Sequence, residues 1–228
     1  MATHEALLPA PAHANVYPSD TTVISSVLDD AGREVVLSRY GDDRWELWPY
    51  FPQSNVLPSG KKIDWRPIPP WMRAECKAVT YRYWTEGLPG MRRPVVRSVL
   101  HLVQKLRMLA NYLAMAGVGS WQELRPVHLA GYMHQRSTVD RVKAATLAKE
   151  LTAIEVLHRF GTLAGLSFAP WPGSSATAQA NWVRSGPPQG MTPVVPEPVL
   201  KTLFMAAEQV LAGADLVLDQ RDRGERLT

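Results

Sequence analysis

Cysteine is almost absent from the 228-residue chain, which contains Cys76 and no other. A single cysteine excludes an intrachain disulfide and every cysteine-rich zinc site. The scarcity fits a protein of the reducing cytoplasm, because disulfides persist mainly in oxidising compartments. We therefore expect a cytoplasmic protein in which Cys76 is a small core residue.

Long, uninterrupted apolar segments are also missing. Residues 1–20 are rich in Ala, Pro and His but lack the basic flank and long apolar run of a signal peptide, so we expect a flexible tail there. Residues 160–183 carry no charge, yet Pro170, Pro172 and Gly173 interrupt them. The sequence thus predicts no membrane span and no membrane partner.

The familiar catalytic motifs are absent as well. The chain has no Gly-x-Ser-x-Gly, no glycine-rich phosphate loop ending in Lys-Ser/Thr, and no His-Glu-x-x-His. Its histidines show no metal-ligand spacing; His128 and His134, for example, lie six positions apart and would not share a helix face. We expect no metal, no cofactor and no catalysis by this chain alone.

What the sequence does contain is positive charge in one place. The net charge is only +4, but residues 67–168 hold 14 basic and 6 acidic side chains, a net +8. The flanks are slightly acidic, at −3 for residues 1–66 and −1 for residues 169–228. Arginine supplies 18 of the 25 cations. Such asymmetry points to a polyanionic partner, most often nucleic acid.

The apolar fraction of 46% is enough for a real core, and residues 21–66 predict a small antiparallel β meander. VISSVL and REVVLSRY are rich in β-branched residues and flank the turn Asp-Asp-Ala-Gly at 29–32. A second turn at 41–43 leads into the alternating stretch RWELW. We expect three strands, followed by a loop at 59–62.

Residues 67–168 predict four helices joined by short loops. The first spans residues 70–86, and the second follows Pro94 with an apolar stripe from Val99 to Leu113. A short third helix follows a capping-box pattern at Ser120 and counts Val127 among its core positions. The fourth begins around Asp140. The predicted fold class is mainly α: a four-helix bundle preceded by the β meander.

Prolines separate this region from the C-terminal residues. Seven of them lie within residues 169–198, a composition typical of a linker. Residues 199–218 predict another apolar helix with nothing in the sequence to pack on. We expect residues 199–228 to be the first helix of a domain that continues beyond the chain.

The candidate binding surface lies at the starts of the second and fourth helices. Free backbone N–H groups and the positive end of a helix dipole favour phosphate, while Arg, Lys, Gln and Thr side chains suit phosphates or base edges. The residues expected to contact DNA are Arg92, Arg93, Arg97, His101, Gln104, Lys105, Arg136, Arg141, Lys143, Thr146 and Lys149. An ordinary solvated surface is the alternative interpretation of the same charge.

Five segments, taken in order, resemble a known family. They are the Leu-rich helix at 99–113, the turn GVGSWQEL at 117–124, LAGYM at 129–133, ATLAKELTAI at 145–154 and TPVVPEPVLKTL at 192–203. Their sequence along the chain is similar to the core-binding domain of tyrosine recombinases, the phage-type integrases, and to the segment that opens the catalytic domain. The resemblance covers roughly residues 23–210 and implies a SAM-like four-helix bundle.

The same resemblance implies a function. It makes the chain the DNA-binding N-terminal region of a tyrosine-recombinase-like integrase, clamping duplex DNA for recombination by a C-terminal catalytic domain. The catalytic Arg, Lys, His and Tyr residues of the family cannot be placed in this chain. We expect double-stranded DNA as the partner, with self-association on the DNA left open. A stand-alone DNA-binding module, or a helical protein-interaction or regulatory module without DNA binding, remains the alternative.

Overall fold

Helices make up most of the structure, a computed structural model that describes residues 18–51, 57–161, 166–183 and 197–225. The chain divides into two units, residues 1–183 and residues 184–228. The first unit holds the β part and most of the helices. The tail predicted for residues 1–20 falls outside the described ranges except for its last three residues.

The β part consists of two small antiparallel sheets. Strand β1 (Val23–Leu28) pairs with β2 (Glu34–Arg39), and β3 (Arg44–Glu46) pairs with β4 (Lys62–Asp64). The β1–β2 turn is closed by Gly32, whose φ of +73° is the left-handed conformation that glycine tolerates.

The predicted three-stranded meander is therefore wrong in its pairing, although its three strands exist. The edge of β3 is occupied by β4, which includes Lys62 from the predicted loop. Backbone hydrogen bonds extend this pairing at both ends, from Leu47 N to Lys61 O and from Trp65 N to Asp43 O. A three-residue strand with one apolar side chain, Ile63, carries too little pattern to be predicted.

The helical part of the first unit has four main helices and one short one. Pro at the start of the first helix and Gly87 at its end, with a φ of +73°, set its bounds as predicted. The helices are α1 (Pro70–Glu86), α2 (Val96–Met115), α3 (Pro126–His134), α4 (Ala144–Phe160) and α5 (Ala176–Gln179).

The region between α2 and α4 differs from its prediction. Ser120 precedes a single 3-10 turn, and α3 begins only at Pro126, so that Val127 is 67% exposed rather than in the core. Helix α3 runs into a π-helical turn, residues Gln135–Val139, and α4 starts at Ala144 instead of Asp140. Pro126, which can only begin a helix, accounts for the later start of α3.

One continuous core joins the β part to the helices. Trp45 and Trp65 of the β part are fully buried together with Met72 and Cys76 of α1. Lys77 of α1 reinforces this junction, because its Nζ donates to the carbonyls of three consecutive residues, Tyr40, Gly41 and Asp42, at 3.2, 3.0 and 2.8 Å. The predicted β meander (residues 21–66) and the predicted helical region (residues 67–168) thus contribute to one core.

Residues 166–183 also belong to this unit, although the sequence placed most of them in a linker. Trp171, Ala176 and Ala180 are buried. The Ala176 N–H donates to Glu155 Oε1 on α4 at 2.7 Å. The burial of apolar side chains thus outweighs the high proline content of this segment. Of the remaining predicted linker, residues 184–196 lie outside the described ranges, and residues 197–198 begin the next helix.

The second unit is described over one helix, α6 (Glu197–Glu225). Its large apolar side chains Leu200, Leu203, Phe204 and Leu211 are 40 to 68% exposed. None of the helices in the described ranges has the length and apolarity needed to cross a membrane.

Candidate nucleic-acid interface

Helix α2 presents one apolar and one polar face, as predicted. Its apolar stripe, which includes Val99, Leu106 and Leu113, is fully buried. On the opposite side Arg97, His101 and Gln104 are exposed at helical spacing. Within the described residues no carboxylate lies in ion-pair range of Arg97 or His101. The core stripe therefore fixes which α2 side chains face outward.

The polar face of α2 borders a groove of about 480 Å³ against strand β4, here called the α2–β4 groove. Lys62 stands on the β4 side, and Arg97, His101, Gln104 and Arg107 stand on the helix side. Phe51, Ile63, Leu100 and Val103 supply apolar surface. No Asp or Glu among the described residues lines it, so the groove is electropositive.

A second depression of about 230 Å³, the α2–α4 groove, lies beside the first. Its polar lining comes from Lys105 and Lys149 with Ser98 and Thr152, and His101 lines both grooves. Acidic residues are again missing from its lining within the described chain. The two grooves share His101, so together they form one basic surface along α2.

Two of the predicted DNA contacts are engaged within the fold instead. Arg136, in the π-helical turn, donates from Nε and Nη2 to the two carboxylate oxygens of Glu150, both at 2.8 Å. Its Nη1 pairs with Asp140 at 2.6 Å. Lys105 Nζ lies 3.7 Å from Glu150, whose side chain has no solvent exposure, and Tyr132 donates to it at 2.9 Å.

This network determines the ionisation of Glu150. Burial works to raise the pKa of its carboxyl group, but the hydrogen bonds from Arg136 and Tyr132 and the charges of Arg136 and Lys105 outweigh burial, so the pKa is lowered. Burial and the adjacent carboxylate raise the pKa of Tyr132. Arg136 is thus the counter-ion of a buried charge, and the prediction that it contacts DNA is corrected.

The predicted residues before α2 separate into two kinds. Arg92 is exposed, whereas Arg93 Nε donates to the Trp84 carbonyl near the end of α1 at 2.7 Å. The Arg93 guanidinium is therefore used to cap a helix carbonyl. Both residues precede α2, which begins at Val96, in agreement with the expectation that this helix follows Pro94.

Two residues expected at the start of the fourth helix, Arg141 and Lys143, lie before α4 instead. Arg141 has a left-handed backbone, with a φ of +52°, and Lys143 is the residue that caps α4. Both are exposed and without an ion pair in the described part of the chain, while Thr146 is half-buried. These cations lie in the loop before α4, where they remain available to a ligand.

Two groove residues, Lys62 and Arg107, were not predicted. Arg107 lies three positions after Gln104 on the same helical stripe, so periodicity could have identified it. Lys62 had no usable signal, because it belongs to a strand that the sequence did not predict and to the acidic N-terminal segment.

Comparison with known proteins adds no relative: no protein-family model matches the chain, and neither do the curated proteins or the solved structures searched. Across the described ranges no group of three or more His, Cys, Asp or Glu side chains could hold a metal ion.

Proposed function

We propose that the first unit binds double-stranded DNA through the polar face of α2 and the loop before α4. The observation that carries the proposal is the basic surface along α2, where Arg97, His101 and Lys149 line adjoining grooves without a lining carboxylate among the described residues. A surface of this kind concentrates polyanions, and phosphate contacts supply most of the affinity of a protein for duplex DNA.

Each side chain has a role that its chemistry supports. Arg97 and Lys149, exposed and unpaired within the described residues, suit phosphate oxygens. Gln104 is exposed on the same face of α2 as Arg97 and can offer both a donor and an acceptor to a base edge. Arg141 and Lys143 are exposed just before the first turn of α4, where they can add phosphate contacts. Arg136 and Arg93 have no part in it.

We further propose that the chain is the N-terminal DNA-binding region of a tyrosine-recombinase-like integrase. Support comes from the ordered motifs at 99–113, 117–124, 129–133, 145–154 and 192–203, and from helices α1–α4 following one another with short connections. On this proposal α1–α4 correspond to a SAM-like core-binding bundle, and recombination and integration belong to a C-terminal catalytic domain. DNA binding itself does not depend on this assignment.

A salt titration against duplex DNA tests the binding. If about five phosphates are neutralised, log K should fall with log salt with a slope of about −4 to −5. Binding that is undetectable at low salt, or insensitive to salt, would refute the proposal.

Charge-reversal variants locate the surface. Arg97→Glu and Lys149→Glu should each weaken duplex binding and change the free energy of unfolding by less than about 0.5 kcal/mol, because both side chains are exposed. The matched control is Arg33→Glu, which changes the net charge equally at a side chain that is 80% exposed in the β1–β2 turn. Equal weakening by all three variants would indicate a general charge effect and no defined surface.

A helical protein-interaction module without DNA binding is the second candidate function. The observation that favours it is the apolar face of α6, where Leu203, Phe204 and Leu211 are exposed. This alternative predicts no duplex affinity at physiological salt, so the same titration separates the two.

A further inference from the structure

We propose that the α2–β4 groove is a phosphate-binding site, and that the β part of the protein contributes to DNA binding through Lys62. The inference rests on the proposed function and deepens it, because it names the group bound and gives the β part a role. The ligand would be a phosphate of the DNA backbone.

Strand β4 lines the groove with both Lys62 and Ile63. Ile63 is only 2% exposed, whereas Lys62 is half-buried and supplies the charge on this side of the groove. Directly across the sheet from Lys62 is Glu46, its pairing partner in the β3–β4 register. Within the described residues the two form no ion pair, so the ammonium group keeps its charge for a ligand.

Arg107 faces Lys62 from the helix side with an incompletely used guanidinium. Its Nη2 donates to the Asp64 carbonyl at 2.7 Å, which anchors α2 to the end of β4. Among the described residues its buried Nε has no hydrogen-bond partner. Buried donors almost always have a partner, so this guanidinium retains unused donor capacity beside the groove. The Asp64 carboxylate does not neutralise the groove, since it pairs with Arg66 at 2.6 Å.

The groove therefore brings together cations from elements far apart in sequence. Lys62 comes from β4, while Arg97 and Arg107 come from α2, with His101 and Gln104 on the same helix. Apolar side chains in the lining lower the local dielectric and strengthen the attraction of the cations for an anion. A phosphate matches this set better than a base edge does, because Lys62, Arg97 and Arg107 all carry charged donors.

The first measurement uses inorganic phosphate as the probe. Sodium phosphate, compared with sodium chloride at equal ionic strength, should shift the Nε–Hε resonance of Arg107 in a two-dimensional NMR spectrum of the whole chain. The Lys62→Ala variant should weaken that shift. Its matched control is Lys61→Ala, which removes the same charge from a neighbouring residue that does not line the groove.

The second measurement repeats the duplex titration with the same two variants. Lys62→Ala should reduce the magnitude of the salt slope by about one, the contribution of one phosphate contact, and Lys61→Ala should leave the slope unchanged. Thermal unfolding of both variants establishes that they fold.

The outcomes separate this inference from the proposed function. Duplex binding with equal slopes for both variants would overturn the groove site and leave DNA binding standing. A phosphate shift that needs Lys62, without any duplex binding, would support the anion site and overturn the proposed function. Neither shift nor duplex binding would overturn both.

Discussion

Removing Arg136 should destabilise the first unit strongly, because it leaves the Glu150 carboxylate charged and buried. The Arg136→Met variant keeps the aliphatic stem but loses two hydrogen bonds of 2.8 Å to a side chain with no solvent exposure. Breaking a buried ion pair by removing one partner costs about 3–5 kcal/mol. We expect a value near 3 kcal/mol, since Tyr132 still donates to Glu150 and Lys105 remains 3.7 Å away.

The pH dependence of the loss follows from the pKa of Glu150. In the native protein this pKa is lowered, so its contribution to stability is present above the unfolded pKa, about 4.3, and is lost as the pH falls through the folded value. Without Arg136, burial raises the folded pKa, and the carboxyl group destabilises the variant as the pH rises. The difference between the two proteins should therefore be larger at pH 7 than at pH 4.

Urea unfolding at the two pH values measures this difference in the free energy of unfolding. In a thermal unfolding experiment at pH 7, the same loss should lower the melting temperature by about 6–12 °C, at about 2–4 °C per kcal/mol for a unit of this size. The double variant Arg136→Met/Glu150→Gln removes the charge and should regain more than half of the loss. A loss below about 1 kcal/mol, or the same loss at both pH values, would refute Glu150 as a buried charge that Arg136 neutralises.

Three further predictions concern the core of the first unit. Trp171→Ala should cost about 3 kcal/mol by urea unfolding, because Trp171 is 8% exposed, while the control Trp182→Ala, at 38% exposure, should cost far less; equal effects would contradict the packing of residues 166–183. Cys76 has no exposed surface, and burial raises the pKa of its thiol, so alkylation should require unfolding; rapid modification of the native protein would contradict this. Lys77→Met deprives three carbonyls of their donor and should cost about 1–3 kcal/mol by the same assay, whereas unchanged stability would show that the β part does not depend on this contact.

Local signals in the sequence predicted the bounds of α1 and the buried face of α2 correctly. The bounds of α1 follow from Pro70 and Gly87, and the buried stripe of α2 follows from its 3.6-residue period. The mainly helical class and the presence of an antiparallel β part are confirmed in this way. The pairing of β3 with β4 depends on a strand of three residues, so no local signal could predict it.

The internal partner of Arg136 and Lys105 was missed for a different reason. Their role depends on Glu150, and Glu150 lies three positions from both Leu147 and Ala153 on the buried side of α4. Helical spacing therefore already placed a carboxylate beside the core stripe, and a buried carboxylate requires a cationic partner. The position of Glu150 in the sequence therefore indicated that a nearby cation would pair with it. Which cation does so depends on the π-helical turn, which brings Arg136 to α4, and the sequence did not predict this turn.

Segment charge does not identify which cations can face a ligand. Within residues 67–168, Arg136 neutralises Glu150, Arg82 pairs with Glu86 at 3.0 Å and Lys77 holds backbone carbonyls, so the net +8 overstates the charge that can face a ligand. Conversely, Lys62 lies in a segment of net −3 and still borders the most cationic groove on α2. A ligand is attracted by the charges that share a face, weighted by distance and by the ion pairs that already satisfy them. Charge that bears on binding is therefore counted over a folded face rather than over a segment, and the α2–β4 groove combines cations from both elements.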